Sequence, residues 1–331
     1  MNTVKLDILT VFEKIEKYIG HDFIPYLMGS AGIGKTQMSE QLAERKGWKF
    51  REYNCTYADF ADWGLYIKKD ETIEAMIPEH MNWLFDTAEP TLVLIDELPL
   101  ASEIIQGNLM ALFNERHVRG RRISGNLFFI VAGNRPQDRV GGNPIKWPLL
   151  SRMDIFECEI TSKYVESWSE HLIKTGVNPL YANILRNHPD MVNNAKPNTI
   201  GEKGGDPRAW HKALHRMTEM GEDQDILASS VGTANALQFF SELDIRKDFP
   251  DIKEALKDPS IFQPSTDRID LNYAFGSTLA YYADKDNFRS ILDLVNKLPK
   301  ELRVRVVKDC GLRNKELTSL PDYFQFILDN N

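Results

Sequence analysis

Gly29-Ser30-Ala31-Gly32-Ile33-Gly34-Lys35-Thr36 reads G-x-x-x-x-G-K-T. These are the residue types that a phosphate-binding loop needs. Glycines let successive backbone N–H groups turn toward one centre and approach anionic oxygens closely. Lys35 places a cation on the β- and γ-phosphates, and Thr36 offers a hydroxyl to Mg²⁺. Residues 23–28 read as a strand entering the loop and 36–45 as a helix leaving it, with its positive end aimed at the same anion. All eight residues, Gly29 through Thr36, are therefore candidate nucleotide contacts.

Thr91-Leu92-Val93-Leu94-Ile95-Asp96-Glu97 is the second informative stretch. Its apolar, β-branched run predicts a strand buried on both faces. The strand ends in two carboxylates with separable roles. Asp96 suits a phosphate-bound Mg²⁺. Glu97 is placed to polarise a water for attack on the γ-phosphate. The distance from Thr36 to Thr91 is too long for one crossover helix. It predicts an intervening strand at 49–53, so the loop strand and the Asp96 strand need not be adjacent.

Working outward, residues 4–19 predict one amphipathic helix with Ile8, Phe12, Ile15 and Ile19 on its apolar face. Residues 54–89 read as a long connection containing Asp59, Asp62, Trp63 and Gly64, with a short helical stretch near 80–87. A helix over 102–116 follows, burying Ile105, Leu109, Leu112 and Phe113. Residues 117–126 predict a small hairpin, with Arg116, Arg119, Arg121 and Arg122 close together. Such a cluster calls for solvent or an anionic partner. A buried strand at 127–132 leads to Asn134, a side chain able to bond the γ-phosphate or the attacking water. Arg152 lies before a strand at 155–160, a place from which an arginine could stabilise charge on a neighbour's nucleotide.

After residue 161 strand patterns stop, and helices are expected near 165–175, 179–188, 207–220 and 225–243. Asp206-Pro207 opens one of them as N-cap and first helical residue. Arg208 sits in its first turn, against the helix dipole, which suggests a phosphate contact. His211 and His215 read as helix-face histidines, since the intervening residues are not those of a zinc-protease helix. The last stretch predicts helices near 271–284, 288–298, 300–308 and 322–330.

The 331 residues suit two or three compact units, and 42% hydrophobic with 27% charged residues is ordinary for a globular chain. A net charge of −8 argues against a surface wrapped in nucleic acid, while leaving room for a local basic element. Three scattered cysteines give neither zinc spacing nor a disulfide framework. No apolar run approaches the roughly 20 residues that span a bilayer. A cytoplasmic protein is expected, without membrane partners.

In order, these motifs resemble the MoxR-like branch of the AAA+ ATPases, most closely its compact, often phage- or plasmid-borne members. Gly29 to Thr36 is similar to Walker A, and Ile95-Asp96-Glu97-Leu98 to Walker B. Asp62-Trp63-Gly64 falls where the family carries an Asp-x-x-Gly-like loop. Gln106 through Gly120 resembles the helix and following hairpin. Asn134 resembles sensor 1, although Arg135-Pro136 is an uncommon continuation. Leu150 to Asp154 resembles the arginine-finger region around Arg152, and Asp206 to Trp210 the sensor 2 helix carrying Arg208. The resemblance covers about residues 20–240.

It implies an α/β fold: a three-layer αβα P-loop domain over 1–160 with a parallel sheet of order 5-1-4-3-2. A helical lid over 161–245 and a C-terminal helical region over 246–331 would follow. It implies ATP and Mg²⁺ as ligands and a homo-oligomeric ring, usually of six. The implied activity is chaperone-like remodelling of a protein partner, commonly one with a von Willebrand factor A-type domain. Two other readings stand beside it. One is an AAA+ protein acting on nucleic acid, as a helicase loader or phage replication factor, which the arginine cluster favours and the acidity disfavours. The other is a nucleotide-gated scaffold, against which Glu97 counts.

Overall fold

The computed structural model describes residues 4–21, 23–138, 142–195 and 203–330. They form two compact units that divide between Ile160 and Thr161. In chain order the first unit carries the strands β1 (Val4–Asp7), β2 (Pro25–Gly29), β3 (Lys49–Asn54), β4 (Leu65–Lys69) and β5 (Thr72–Met76). These are followed by β6 (Thr91–Asp96), β7 (His117–Val118), β8 (Arg121–Arg122), β9 (Leu127–Gly133) and β10 (Asp154–Glu159). Its helices are α1 (Ile8–Tyr18), α2 (Lys35–Arg45), α3 (Trp83–Asp86), α4 (Glu103–Glu115) and α5 (Trp147–Leu150).

Six strands pair in parallel in the order β1-β10-β2-β9-β6-β3. Without the edge strand β1, this is the 5-1-4-3-2 order. Every residue of β6 is buried, as a strand with neighbours on both sides and helices over both faces requires. Leu92, Val93, Leu94 and Ile95 are all at most 1% exposed. Truncating such a side chain to alanine costs about 2–5 kcal/mol. The sheet places the C-terminal ends of β2, β6 and β9 side by side, which creates a crevice for a ligand.

Two expectations for this unit are corrected. Residues 4–19 are not one helix: Val4–Asp7 pair with β10, and the helix begins at Ile8. Lys5 ion-pairs with Glu157 at 3.3 Å, and Asp7 caps the helix by accepting from Leu9 N at 2.9 Å. The four-residue strand is too short to break the helical spacing of the apolar residues behind it. The connection 54–89 is also more than a loop, because β4 and β5 form an antiparallel hairpin in it. Its two-residue turn, Asp70-Glu71, has Asp70 at φ 54°. That is the positive φ such tight turns demand.

The second unit is helical: α6 (Ser162–Lys174), α7 (Pro179–Asn187), α8 (Pro189–Val192), α9 (Pro207–Met220), α10 (Gln224–Val231) and α11 (Thr233–Leu243). After these come α12 (Ile252–Lys257), α13 (Ile269–Tyr282), α14 (Phe288–Val295), α15 (Lys300–Arg313) and α16 (Pro321–Asn330). The single helix expected over 225–243 is two, because Gly232 breaks it at φ 92°. A Cβ there would lie 2.1 Å from the Lys203 carbonyl oxygen. A buried ion pair, Arg186 with Asp309 at 3.2 Å, joins α7 to α15. Asn183 donates to the same carboxylate and to Ser277 of α13. Removing one partner of such a pair costs about 3–5 kcal/mol. Among the described residues no helix is long and apolar enough to cross a membrane.

His171 of α6 stacks on His211 of α9, with ring centroids 6.1 Å apart, and His211 lies 4.5 Å from His215. Burial lowers the pKa of His171 and of His211, assisted by Lys174 and His215 at the former and by the neighbouring rings at the latter. Between the lowered folded values and the ordinary histidine value of 6.5, the unfolded chain binds more protons than the folded one. Stability is therefore expected to fall as pH drops below 6.5, and to be insensitive to these rings above it. Thermal melts of wild type and His211→Gln across this range check it. The variant should show a shallower acid slope, and an unchanged slope overturns the assignment.

Candidate nucleotide site

The loop between β2 and α2 is shaped by its glycines. A Cβ on Gly29 would meet Ile33 Cδ1 at 2.5 Å and Cys158 at 3.1 Å. Gly32 and Gly34 take φ values of 75° and 93°. Gly34 is the N-cap of α2 and supplies no capping side chain, so the first N–H groups of the helix face the loop. Ile33 is buried and anchors the loop from below. Ser30 and Ala31 complete its turn.

Lys35 is only 7% exposed. Its ammonium donates to the carbonyls of Gly29 at 3.0 Å and Ser30 at 2.9 Å, and to Asn134 Oδ1 at 3.4 Å. Thr36 Oγ1 donates to Asp96 Oδ2 at 2.9 Å, and Asp96 Oδ1 accepts from the backbone N–H of Glu97 at 2.8 Å. Thr36 and Asp96 thus present a hydroxyl and a nearly buried carboxylate together, a hard-oxygen pair that fits Mg²⁺. Glu97 stands at φ 54°, ψ 40°, left-handed although it is not glycine. That conformation costs about 1–2 kcal/mol and turns the side chain off the strand axis. Asn134 Nδ2 reaches Glu97 Oε2 at 3.4 Å. The arrangement can hold phosphates with Lys35, a cation with Thr36 and Asp96, and a water beside the Glu97–Asn134 pair.

Two cysteines border the site: Cys158 packs at Gly29, and Cys55 donates its N–H to the Asp96 carbonyl at 2.9 Å. Burial pushes the thiols of Cys55 and Cys158 up to about 12, with Asp96 and Glu97 adding to the effect at Cys55. Both are therefore protonated and behave as packing groups.

The structure does not bring Arg152 to this cluster. Arg152 precedes β10, whose first residue, Asp154, pairs with Pro25 at the start of β2. It is thus at the opposite end of the strands from the loop, beside a cavity of about 300 Å³ with Phe113, Asn114 and Met153. Its guanidinium donates to the Pro148 carbonyl. Arg208 is exposed on the first turn of α9, in the second unit.

Sequence reading missed Arg135, which donates to the Ser30 hydroxyl at 2.6 Å. The only signal was its unusual place after Asn134. Of the clustered arginines, Arg116 and Arg119 are held by backbone carbonyls, which the sequence did not indicate. Arg116 donates to the carbonyls of Ser124 and Leu127. Arg119 donates to those of Trp63 and Gly64, and lies over the Tyr66 ring. Arg121 pairs with Asp86 at 3.1 Å. Three of the four are therefore engaged inside the first unit, Arg121 with an anionic side chain as expected, while Arg119, Arg121 and Arg122 all stay exposed to solvent.

Residues 26–153 match the family model described as AAA domain, dynein-related subfamily. This stretch is an AAA domain. With its P-loop and paired carboxylates, it is the domain of an ATPase. Among solved structures, the chain is similar to the Thermotoga maritima RuvB Holliday junction branch migration motor. Identity is 14% over 75% of this chain and 72% of that one, with a TM-score of 0.42. It is also similar to NtrX from Brucella abortus in complex with ADP, at 12% identity over 92% of this chain and 68% of that one, with a TM-score of 0.45. No curated protein matches the sequence. The AAA domain match ends at Met153, one residue before β10 begins.

Proposed function

We propose that the chain is a MoxR-like AAA+ ATPase that assembles into a ring of six and uses ATP turnover to remodel a protein partner. In this reading Gly29, Ser30, Ala31, Gly32, Ile33, Gly34, Lys35 and Thr36 cradle the phosphates. Thr36 and Asp96 hold Mg²⁺, whose charge would offset that of the phosphate oxygens. Glu97 polarises the attacking water and Asn134 orients it. Arg152 serves the nucleotide of a neighbouring subunit. Residues 161–245 act as a lid carrying Arg208 to the phosphates, and 246–331 form an accessory helical region. By family resemblance, a cytoplasmic partner with a von Willebrand factor A-type domain is the expected substrate.

The observation that favours a protein partner is the apolar surface around the β4–β5 hairpin. Tyr57, Phe60, Leu65, Tyr66, Ile73 and Met76 are between 44% and 85% exposed. A two-stranded hairpin exposed along its length gains little from its own packing, so contact with another surface would stabilise it. Such a surface suits a polypeptide better than a phosphate backbone. The test uses Glu97→Gln protein held in ATP as bait. Polypeptides captured in ATP and released without it are expected to be lost when Ile73 and Met76 are both changed to serine, with ATPase of the otherwise wild-type protein kept. Capture of nucleic acid instead, with a steep salt dependence, would replace this reading.

A further inference from the structure

Arg135 is oriented before it reaches the P-loop. Its Nε donates to Asp138 Oδ2 at 2.6 Å, and its Nη2 donates to Ser30 Oγ, also at 2.6 Å. The two charged side chains are 21% and 11% exposed. The N–H of Asp138 returns to the Arg135 carbonyl at 3.0 Å, closing the single turn Pro136–Asp138. Charge-assisted bonds of this kind are the short, strong ones, and the planar guanidinium fixes two directions at once.

We propose that Arg135 is a positioning residue for ATP hydrolysis, a strut that holds the first turn of the P-loop against the strand end bearing Asn134. The inference rests on hydrolysis at the site described above. The β2–β9 ladder ends at Met28 and Gly133. Past that point, a 3.4 Å contact joins Lys35 to Asn134, and the shorter bond joins Arg135 to Ser30. The first uses the ammonium that must serve the phosphates, so bound nucleotide competes with it. The second uses a side-chain hydroxyl and leaves the loop's N–H groups to the ligand. Arg135 therefore keeps the spacing between Lys35 and Asn134 throughout turnover. Asn134 meets Glu97 at only 3.4 Å, so a small shift of the strand end would separate them.

The test compares Arg135→Ala, Ser30→Ala, the double variant and Arg135→Lys, measuring turnover and, separately, the Kd of a non-hydrolysable ATP analogue. Misplacing a reacting group by about 1 Å can cost about a hundredfold in rate, so Arg135→Ala is expected to lower kcat about ten- to a hundredfold. The analogue's Kd should stay within about twofold of wild type, as for an interaction that acts only on the reacting arrangement. Ser30→Ala should shift kcat the same way, and the double variant should be no worse than Arg135→Ala alone. Arg135→Lys should recover little, because an ammonium lacks the fork that serves both partners. Hydrogen exchange at residues 30–34 should quicken in both single alanine variants.

Multiplying kcat effects in the double variant overturn the strut. So does a loss confined to analogue binding, which would make Arg135 a direct phosphate ligand. Wild-type protein without turnover would end the ATPase reading instead, and the exchange measurement would still decide the strut: unchanged exchange at 30–34 overturns it. Should Arg135→Ala fail to fold by thermal melt, Ser30→Ala removes a single hydroxyl and carries the same comparison.

Discussion

Mixtures of Arg152→Ala subunits with Glu97→Gln subunits are expected to recover ATPase activity that neither has alone. Arg152 lies before Asp154, which pairs with the first residue of β2, whereas the P-loop leaves the last. Five residues of strand separate the two ends, a rise of about 15 Å. An arginine cannot cover that from its own subunit, but an adjoining copy could present it to the phosphates. An arginine finger is worth about 10³–10⁵ in rate, so each single variant should be nearly inactive. In a mixed ring, some interfaces pair an intact Glu97 with an intact Arg152. Recovery should peak at intermediate ratios, read by steady-state phosphate release. Its absence at every ratio, with mixed assemblies demonstrated by differential tagging, would remove the trans assignment.

Glu97→Gln and Lys35→Ala should both abolish turnover, for different reasons. Glutamine preserves the shape of Glu97 and its backbone N–H bond to Asp96, but it cannot take a proton. General-base catalysis contributes about 10²–10⁴, so turnover should fall by that factor while the nucleotide Kd is kept. Lys35→Ala removes a buried cation and leaves the carbonyls of Gly29 and Ser30 without its ammonium. Binding itself should weaken. A fluorescent nucleotide titration alongside single-turnover hydrolysis separates the two cases. Near-normal turnover by Glu97→Gln would take that residue out of the catalytic role.

The sheet and the core of the site were legible because their signals are local. The P-loop spacing, the buried run at Thr91–Asp96 and the strand before Asn134 each read correctly in isolation. The length between the first two also indicated the edge strand β3. What escaped depends on tertiary partners. Val4–Asp7 becomes a strand only because β10 arrives beside it. Arg119 and Arg121 look like a free basic patch until Trp63, Gly64 and Asp86 fold against them. The Gly232 break follows from the close approach of the Lys203 carbonyl, which no window of sequence around residue 232 contains. Arg135 shows the same limit, since its meaning lies in Ser30, far back in the chain.

The strand order also governs when the nucleotide loop can exist during synthesis. β2 is flanked by β9 and β10, both made long after it. A nascent chain that has just completed α2 has the loop's residues and no walls for them. Only after Glu159 has emerged can β10 enter beside β2, and β1 then close outside β10. Pairings of this span form late and slowly, because a long stretch of chain must be ordered before they are made. The ribosome-bound chain would therefore leave both edges of the apolar β2 unpaired until Leu127–Gly133 and Asp154–Glu159 have been made.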